Sequence, residues 1–509
     1  MKSLILIIFN FCFVLISIAQ SPRNKNWVIG LEPVKFIFNE NGLKIDTIKN
    51  WNSITPPFTA VAQSCSNISD LEGNLLFYSS GFVLFDKDGY AINNGKQINC
   101  PLGTKLCTNY GGLSLFHQTD IILPKKGNQY YVFATGMSDS AADKYLNHTE
   151  TIFDVLNYSV VDMDSNNGMG EVVVKNKIIM QNQRYWNVGL TAVKHANGKD
   201  WWLVKSDCLN NRFQLFLVKE DSIEGPFYQN FGITSYWCTW PTKLNFSSDG
   251  SKLIGNIYRD YYENSEFNRT EIYDFDRCTG TITYNQHFFV PFDTITYMNW
   301  DKMQGVEFSP NGKLAYVCSM YNVWQIDLEN PNKKDALLLS GPDTTLNVFP
   351  WYDMLALGPD NKIYIGTASG SRALSTIDSP DVKGLGCKFH RHGVRQNYNY
   401  LLCPPNMPNY GLGALVGSAC DTIRAVPQNW LLYPNPAASN ITIKIPNSKQ
   451  GTSIQLQVYN LLGQKIIDKQ VLISIDFEAT LDVASLPRSI YIVKAKYGTE
   501  EFNSKFLKE

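Results

Sequence analysis

Charge is scarce in this 509-residue chain. Charged residues make up 18%, and 45 Lys+Arg stand against 46 Asp+Glu for a formal net charge of -1. That balance excludes the strongly basic face of a nucleic-acid binder. It equally excludes the charged, apolar-poor composition of a disordered chain, because 44% of the residues are hydrophobic. After residue 18 there is no uninterrupted apolar run of about 18 residues, so a membrane-spanning helix is not expected in the mature chain. Histidine is sparse, at six, and none lies in His-Glu-x-x-His. Cys-x-x-Cys, a Gly-x-Ser-x-Gly elbow and a phosphate-binding Gly-x-x-x-x-Gly-Lys loop are all missing. The last 89 residues contain no cysteine, which separates them in composition from what precedes.

Aromatics and turn formers are plentiful: 27 Tyr, 28 Phe and 11 Trp with 35 Gly and 23 Pro, the balance of a β protein with many turns. At the N-terminus, Lys2 precedes an apolar stretch from Leu4 to Ile18, and Ser17-Ile18-Ala19 carries small residues at the two positions read by a signal peptidase. The expectation is a signal peptide over 1–19, cleaved before Gln20. Ten cysteines then remain after Cys12. In an exported chain an even count suggests disulfides. Cys100 with Cys107 and Cys387 with Cys403 are the plausible local pairs, and Cys318, within an apolar run, is the expected buried thiol.

From 24 to 425 one pattern recurs: a polar turn holding Gly or Asn, then a strand of aromatic and aliphatic residues. The turn residues are Gly73, Gly127, Gly198, Gly250, Gly312 and Asn361, with intervals of 54, 71, 52, 62 and 49. Asp-Gly and Asn-Gly supply the positive φ of a tight hairpin. Apolar strands precede the turns at Leu244–Phe246, Val306–Phe308 and Leu355–Leu357. Several strands per unit at this period point to a β-propeller, of seven blades or alternatively six. Trp27 to Ile48 is expected to pair with material near 381–420 to close the ring and remove free edges. At Phe308-Ser-Pro-Asn-Gly-Lys-Leu-Ala-Tyr-Val317 the chain resembles the WD-like propeller repeats of exported bacterial proteins. That likeness implies the fold and leaves the function open.

A linker over 426–432 leads to a module at 433–509. Its short strands, including Ile441–Ile445 and Ile454–Tyr459, alternate apolar and polar residues, as a small immunoglobulin-like sandwich requires. Tyr433-Pro434-Asn435-Pro436, Leu462-Gly463-Gln464 and the strand around Tyr491 are similar to the C-terminal sorting domain (type A) of type IX secretion cargo in the Bacteroidetes. The place where that family usually has Gly before the Ile-Tyr-Ile strand is Ser489 here. The resemblance implies the type IX machinery as a partner. It also implies passage through the periplasm to a secreted or outer-membrane surface location.

No catalytic residue, cofactor or metal is expected. His390-Arg391-His392 lacks a spaced third ligand and reads as a polar loop, and Asp162-Met-Asp-Ser-Asn-Asn-Gly168 has Val173 where a calcium loop needs Glu, so it reads as an Asx-rich turn. Trp201 and Trp202 point to opposite faces of a strand and suit the packing between blades. The aromatic cluster Tyr236, Trp237 and Trp240 is the candidate ligand contact, in a rim loop. The expected function is non-catalytic binding or adhesion to an extracellular glycan or protein. The alternative is an exported hydrolase of peptides or glycans whose paired carboxylates line the funnel.

Overall fold

A computed structural model of the chain describes residues 21–509 except 51–60, 62–63, 101–117, 151, 186–188, 208–211, 231–242, 258–268, 291–302, 331–335, 341–350, 368–370, 397–402, 422–429, 446–447, 449–450, 475–476 and 499. The chain divides between Ala414 and Leu415 into two compact units. The expected leader over 1–19 lies outside the described residues.

In the first unit, seven antiparallel sheets follow one another in sequence, each a meander whose strands pair in chain order. They span 26–47, 66–86, 120–180, 190–230, 244–289, 303–340 and 352–395 and are numbered here as blades 1 to 7. Blades 1 and 2 have three strands among the described residues, and the other five have four. Every hairpin residue singled out in the sequence takes the left-handed conformation: φ is 86° at Gly73, 60° at Gly127, 74° at Gly198, 73° at Gly250, 68° at Gly312 and 61° at Asn361. In blades 5 and 6 the turn is closed the same way, with the amide of Gly250 on the Ser247 carbonyl at 2.8 Å and that of Gly312 on the Ser309 carbonyl at 2.9 Å.

Alternation along each strand sends side chains to two faces, and each face packs on a neighbouring blade. Trp201 and Trp202 illustrate this. Trp201 joins a core shared with blade 3, while Trp202 joins a core shared with blade 5. Further cores join blade 5 to 6 and blade 6 to 7. One cluster then contains Trp27 and Phe36 of blade 1, Tyr78 and Phe85 of blade 2, and Tyr364 and Leu374 of blade 7, so the ring of blades closes on itself. This is a seven-bladed β-propeller. The closure differs from the sequence expectation. Residues 26–47 build a sheet of their own rather than pairing with 381–420, and blades 1 and 7 meet through side chains, with Trp27 5.3 Å and Phe38 5.7 Å from Tyr364, ring to ring. Within the sheet of blade 1 the middle strand, Val34–Asn39, pairs on both sides, and the contact with blade 7 is made by aromatic side chains.

The cysteine expectations divide. Cys318 is a buried thiol as expected, but Cys387 and Cys403 are buried thiols too, not a pair. Cys387 closes a short turn ahead of the last strand of blade 7, whereas Cys403 approaches Asp353 on the inner strand of that blade. Nearness in sequence did not bring them together. Cys100, Cys278 and Cys420 are disulfide-bonded, and Cys107 lies outside the described residues.

The second unit is a sandwich. One sheet orders Leu431–Tyr433, Asn440–Lys444 and Glu478–Asp482; the other orders Lys465–Leu472, Ser453–Tyr459, Ser489–Tyr497 and Glu500–Lys508. Ile441, Ile443, Ile454, Leu456, Val458, Leu481 and Val493 form the filling, the inward halves of alternating strands.

Gly305 marks a close approach between blades 6 and 7. A Cβ there would lie 2.3 Å from the Asp353 carbonyl oxygen and 2.7 Å from the Leu355 amide nitrogen, both backbone atoms of the next inner strand. Backbone cannot swing aside, so Gly305→Ala is expected to cost about 2–3 kcal/mol. Urea unfolding of the purified chain should show the lowered midpoint, and an unchanged midpoint would mean that blades 6 and 7 are not packed this closely.

Candidate functional site

Concave surfaces at the axis of a ring are the first place to look for chemistry. The inner strands are Asn26–Ile29, Ser66–Ser69, Asp120–Pro124, Leu190–Lys194, Leu244–Phe246, Met303–Phe308 and Tyr352–Leu357. Here the axis is occupied by the chain itself. Residues 403–414, the end of the first unit, carry Cys403-Pro-Pro-Asn-Met-Pro-Asn-Tyr410 and form no strand. Prolines without amide hydrogens cannot join a ladder, so this segment runs past the inner strands and uses side chains to bond them.

Asn406 is the anchor. Its side-chain amide donates to the carbonyls of Asp120 and Leu190, 2.9 Å each, and its own backbone amide donates to the Cys65 carbonyl at 2.7 Å. Gln118 completes the knot by donating to the Leu244 carbonyl at 2.9 Å and accepting from the Leu244 amide at 3.0 Å. Further along, Asn409 donates to the Ser248 carbonyl at 2.8 Å, and Tyr410 donates to the Ile122 carbonyl at 2.7 Å with its ring against Trp201. Asn24, just ahead of blade 1, donates to the Pro408 carbonyl at 3.1 Å. The Arg277 guanidinium bonds the carbonyls of Lys194 and Gly413. One segment thus touches blades 2, 3, 4, 5 and 7 and the stretch before blade 1.

Two axial carboxylates, Asp120 and Glu307, have structural partners. Asp120 accepts from the hydroxyls of Ser64 and Ser66, both at 2.6 Å. Glu307 accepts from the Asn245 side chain at 2.7 Å and from the amides of Phe308 and Leu357 at 3.0 and 3.1 Å. Burial pushes the Glu307 carboxyl up to about 7, an effect that buried Lys243 partly counters. Glu307 lines a small cavity of about 80 Å³ beside Pro408 and Asn409. Burial also pushes the Cys65 and Cys403 thiols upward, so both stay protonated and poorly nucleophilic.

The residues proposed from sequence fall in three places. Tyr236, Trp237 and Trp240 lie outside the described residues, within 231–242. Asp162 to Gly168 is the hairpin between two strands of blade 3, with Asp162 accepting from Gln129 and Asp164 from Asn128. His390, Arg391 and His392 sit on the outer strand of blade 7, where Asp378 lies 3.5 Å from His390. Among the described residues no group of three or more His, Cys, Asp or Glu side chains could hold a metal ion.

The residues that the sequence marks as a sorting motif fall in separate parts of the second unit. Asn435 donates to the Lys505 carbonyl at 3.0 Å and accepts from the Leu507 amide at 2.9 Å, which staples the start of the module to its last strand. Tyr433 bonds Glu478 across the first sheet. Tyr491 is buried, stacks on Phe506 and donates to the Pro487 carbonyl at 3.0 Å. Leu462 and Gly463, with φ 78° at the glycine, form a hairpin tip pinned by Asn460, whose side-chain oxygen accepts from the amides of Leu462 and Gln464. Leu462 is 84% exposed at that tip, with Leu461 beside it at 62%.

Residues 431–509 match the family described as the secretion system C-terminal sorting domain. The tail is a type IX sorting domain. It implies export out of the cell and engagement with the type IX machinery. No curated protein matches the chain. Among solved structures, a functionally unknown protein from Desulfotomaculum acetoxidans is similar at 13% identity, covering 75% of this chain and 99% of that one, with a TM-score of 0.40. The Cps50 (Swd1) β-propeller domain of Myceliophteria thermophila is similar at 11% identity, over 68% of this chain and 92% of that one, with a TM-score of 0.36. Hsv2 of Kluyvelomyces marxianus has 10% identity over 69% and 88%, with a TM-score of 0.34. Of the described residues, no helix is long and apolar enough to cross a membrane.

Two outcomes follow from the axis. Asn406→Ala strands two buried carbonyls and is expected to cost about 3 kcal/mol in urea unfolding, against less than about 1 kcal/mol for a change at an exposed position. Glu307 has a folded-state pKa above its unfolded value of 4.5, so its contribution to stability is fully present below about 4.5 and is lost as pH rises through about 7. The midpoint of unfolding should therefore fall between pH 5 and 8 in the wild type, and Glu307→Gln should flatten that fall.

Proposed function

We propose that this protein is an exported, non-catalytic binding or adhesion protein, in which the propeller presents a ligand surface and the sorting tail delivers it. The ligand is an extracellular glycan or protein. The leader over 1–19 carries the chain into the periplasm, and the tail carries it across the outer membrane to release or surface display.

The observation that carries the binding reading is the axial segment. The concavity in which an enzyme on this ring would gather its catalytic groups holds residues 403–414, and Asp120 and Glu307 are engaged in holding strand ends together. A glycosidase there would need two accessible carboxylates with room for a sugar and water between them. Recognition accordingly belongs on the outer surfaces of the blades and on their connecting loops. Tyr236, Trp237 and Trp240 lie in the connection from blade 4 to blade 5 and are proposed as ligand contacts, since rigid aromatic anchors carry much of the energy of such surfaces.

The test has two arms. A glycan and protein array probed with the mature chain should give saturable binding without turnover, and Trp237→Ala with Trp240→Ala should weaken it at least about tenfold at unchanged thermal stability. Turnover abolished by changing one carboxylate of a pair would defeat the reading. For delivery, a chain lacking 430–509 should accumulate in the periplasm, and Leu461→Ser with Leu462→Ser should reduce extracellular yield while leaving the folded module intact by circular dichroism. Normal export of the truncated chain would refute the role given to the tail.

A further inference from the structure

A cavity off the axis lies at the seam where the ring closes. It is a groove of about 730 Å³ between blades 1 and 7, within the range of small-molecule sites. Trp27, Phe38 and Tyr364 pack the seam, and the groove beside them is lined by residues of blade 1 between Asn39 and Ile45 and of blade 7 between Asp360 and Val394.

Blade 7 is shaped locally toward this groove. The pairing of its two outermost strands shifts register between Leu374 and Thr376, and such bulges re-aim side chains. His392 takes φ 58°, a left-handed conformation uncommon for a side-chain-bearing residue. Gly393 follows because nothing larger fits: a Cβ would lie 2.1 Å from the Thr376 hydroxyl oxygen. The strand thus lies down on Thr376 and brings His390 beside Asp378, which also pairs with Lys362 at 3.2 Å. Asp360 is held by the Tyr364 hydroxyl at 2.8 Å, and Arg391 reaches the Ser340 hydroxyl at 2.6 Å.

The chemistry of this lining selects a ligand class. Its acidic groups are balanced by basic ones and several are already paired, so neither a polyanion nor a polycation finds a field of opposite sign. Paired carboxylate, ammonium and imidazole groups keep spare acceptors and donors, which suit hydroxyls. Leu43 and Ile45 of blade 1 and Val394 of blade 7 add an apolar strip along the same groove. Both walls draw on the outermost strand of their sheet, Gly42–Thr47 in blade 1 and Phe389–Arg395 in blade 7, and side chains of both line the groove.

We propose that the seam groove binds a stretch of neutral, hydroxyl-rich polysaccharide, held by the Lys362–Asp378–His390 cluster against Leu43, Ile45 and Val394. This rests on the binding reading above and gives it a place and a ligand class. The experiment is affinity gel electrophoresis of the purified full-length mature chain in dextran, linear β-glucan and mannan, with polygalacturonate as the charged counterpart. Retardation by at least one neutral polymer, persisting in 0.5 M salt, is expected. Asp378→Asn with His390→Ala, both at partly exposed positions, should weaken it about tenfold, and Leu43→Trp, which fills the groove from the other wall, should do the same at unchanged thermal midpoint. Two independent variants keep the test valid if one fails to fold. Retardation that both variants leave intact overturns the groove while the binding reading stands. Retardation by polygalacturonate alone, lost in salt, or by no polymer at all, overturns the proposed ligand class. Cleavage of a polymer would instead overturn the binding reading itself.

Discussion

Seven sheets arranged around an axis leave the ends of their inner strands pointing into a common space, and each end carries backbone groups that must find partners. A single amide side chain, Asn406, meets that constraint for three blades at once through the carbonyls of Asp120 and Leu190 and, by its own backbone, that of Cys65. Without a filler of this kind the axis would need ordered water or a ligand to satisfy the same groups. The rest of the ring's geometry is arranged about this knot: Gln118 ties blade 5 to it, Asn24 ties the start of the chain to it, and Tyr410 seats it against Trp201.

The blades were legible because their information is local. An Asx-Gly turn between alternating strands fixes a hairpin within ten residues, and repetition at that period pointed to seven blades or alternatively six. The tail was legible for a similar reason, since Tyr433 to Pro436 and Leu462 to Gln464 occupy fixed places in a small fold. What the sequence hid is what joins distant residues. The seam between Trp27 and Tyr364 is an aromatic contact without a pairing pattern, so strand pairing looked the more natural closure. The axial segment fell within the material near 381–420 that was expected to pair with Trp27 to Ile48. Its one visible clue is that Asn406 and Asn409 supply side-chain donors in a stretch whose prolines supply none. The thiols misled because adjacency suggested Cys387 with Cys403, whereas one lies in an outer turn of blade 7 and the other at the axis.

The candidate site shows the same division. An aromatic cluster or a His-x-His can be read from sequence, but whether such residues face a groove depends on the bulge at Thr376 and the conformation of His392, neither of which composition records. His390 entered as a poor metal ligand; beside Asp378 and Lys362 it becomes part of a polar wall. The axial carboxylates Asp120 and Glu307 bond hydroxyls, a side-chain amide and backbone amides of the inner strands and the residues beside them.

The bond from Asn24 to Pro408 spans 384 residues. Contacts of such separation are slow to form, because a long loop must close before they give any return. During synthesis the first blade emerges long before its axial partner exists, and the stretch that locks the circle is the last part made before the delivery tag. A polypeptide interrupted upstream therefore lacks the lock and the address together, so the order of parts along the chain couples completeness of the ring to the ability to leave the cell.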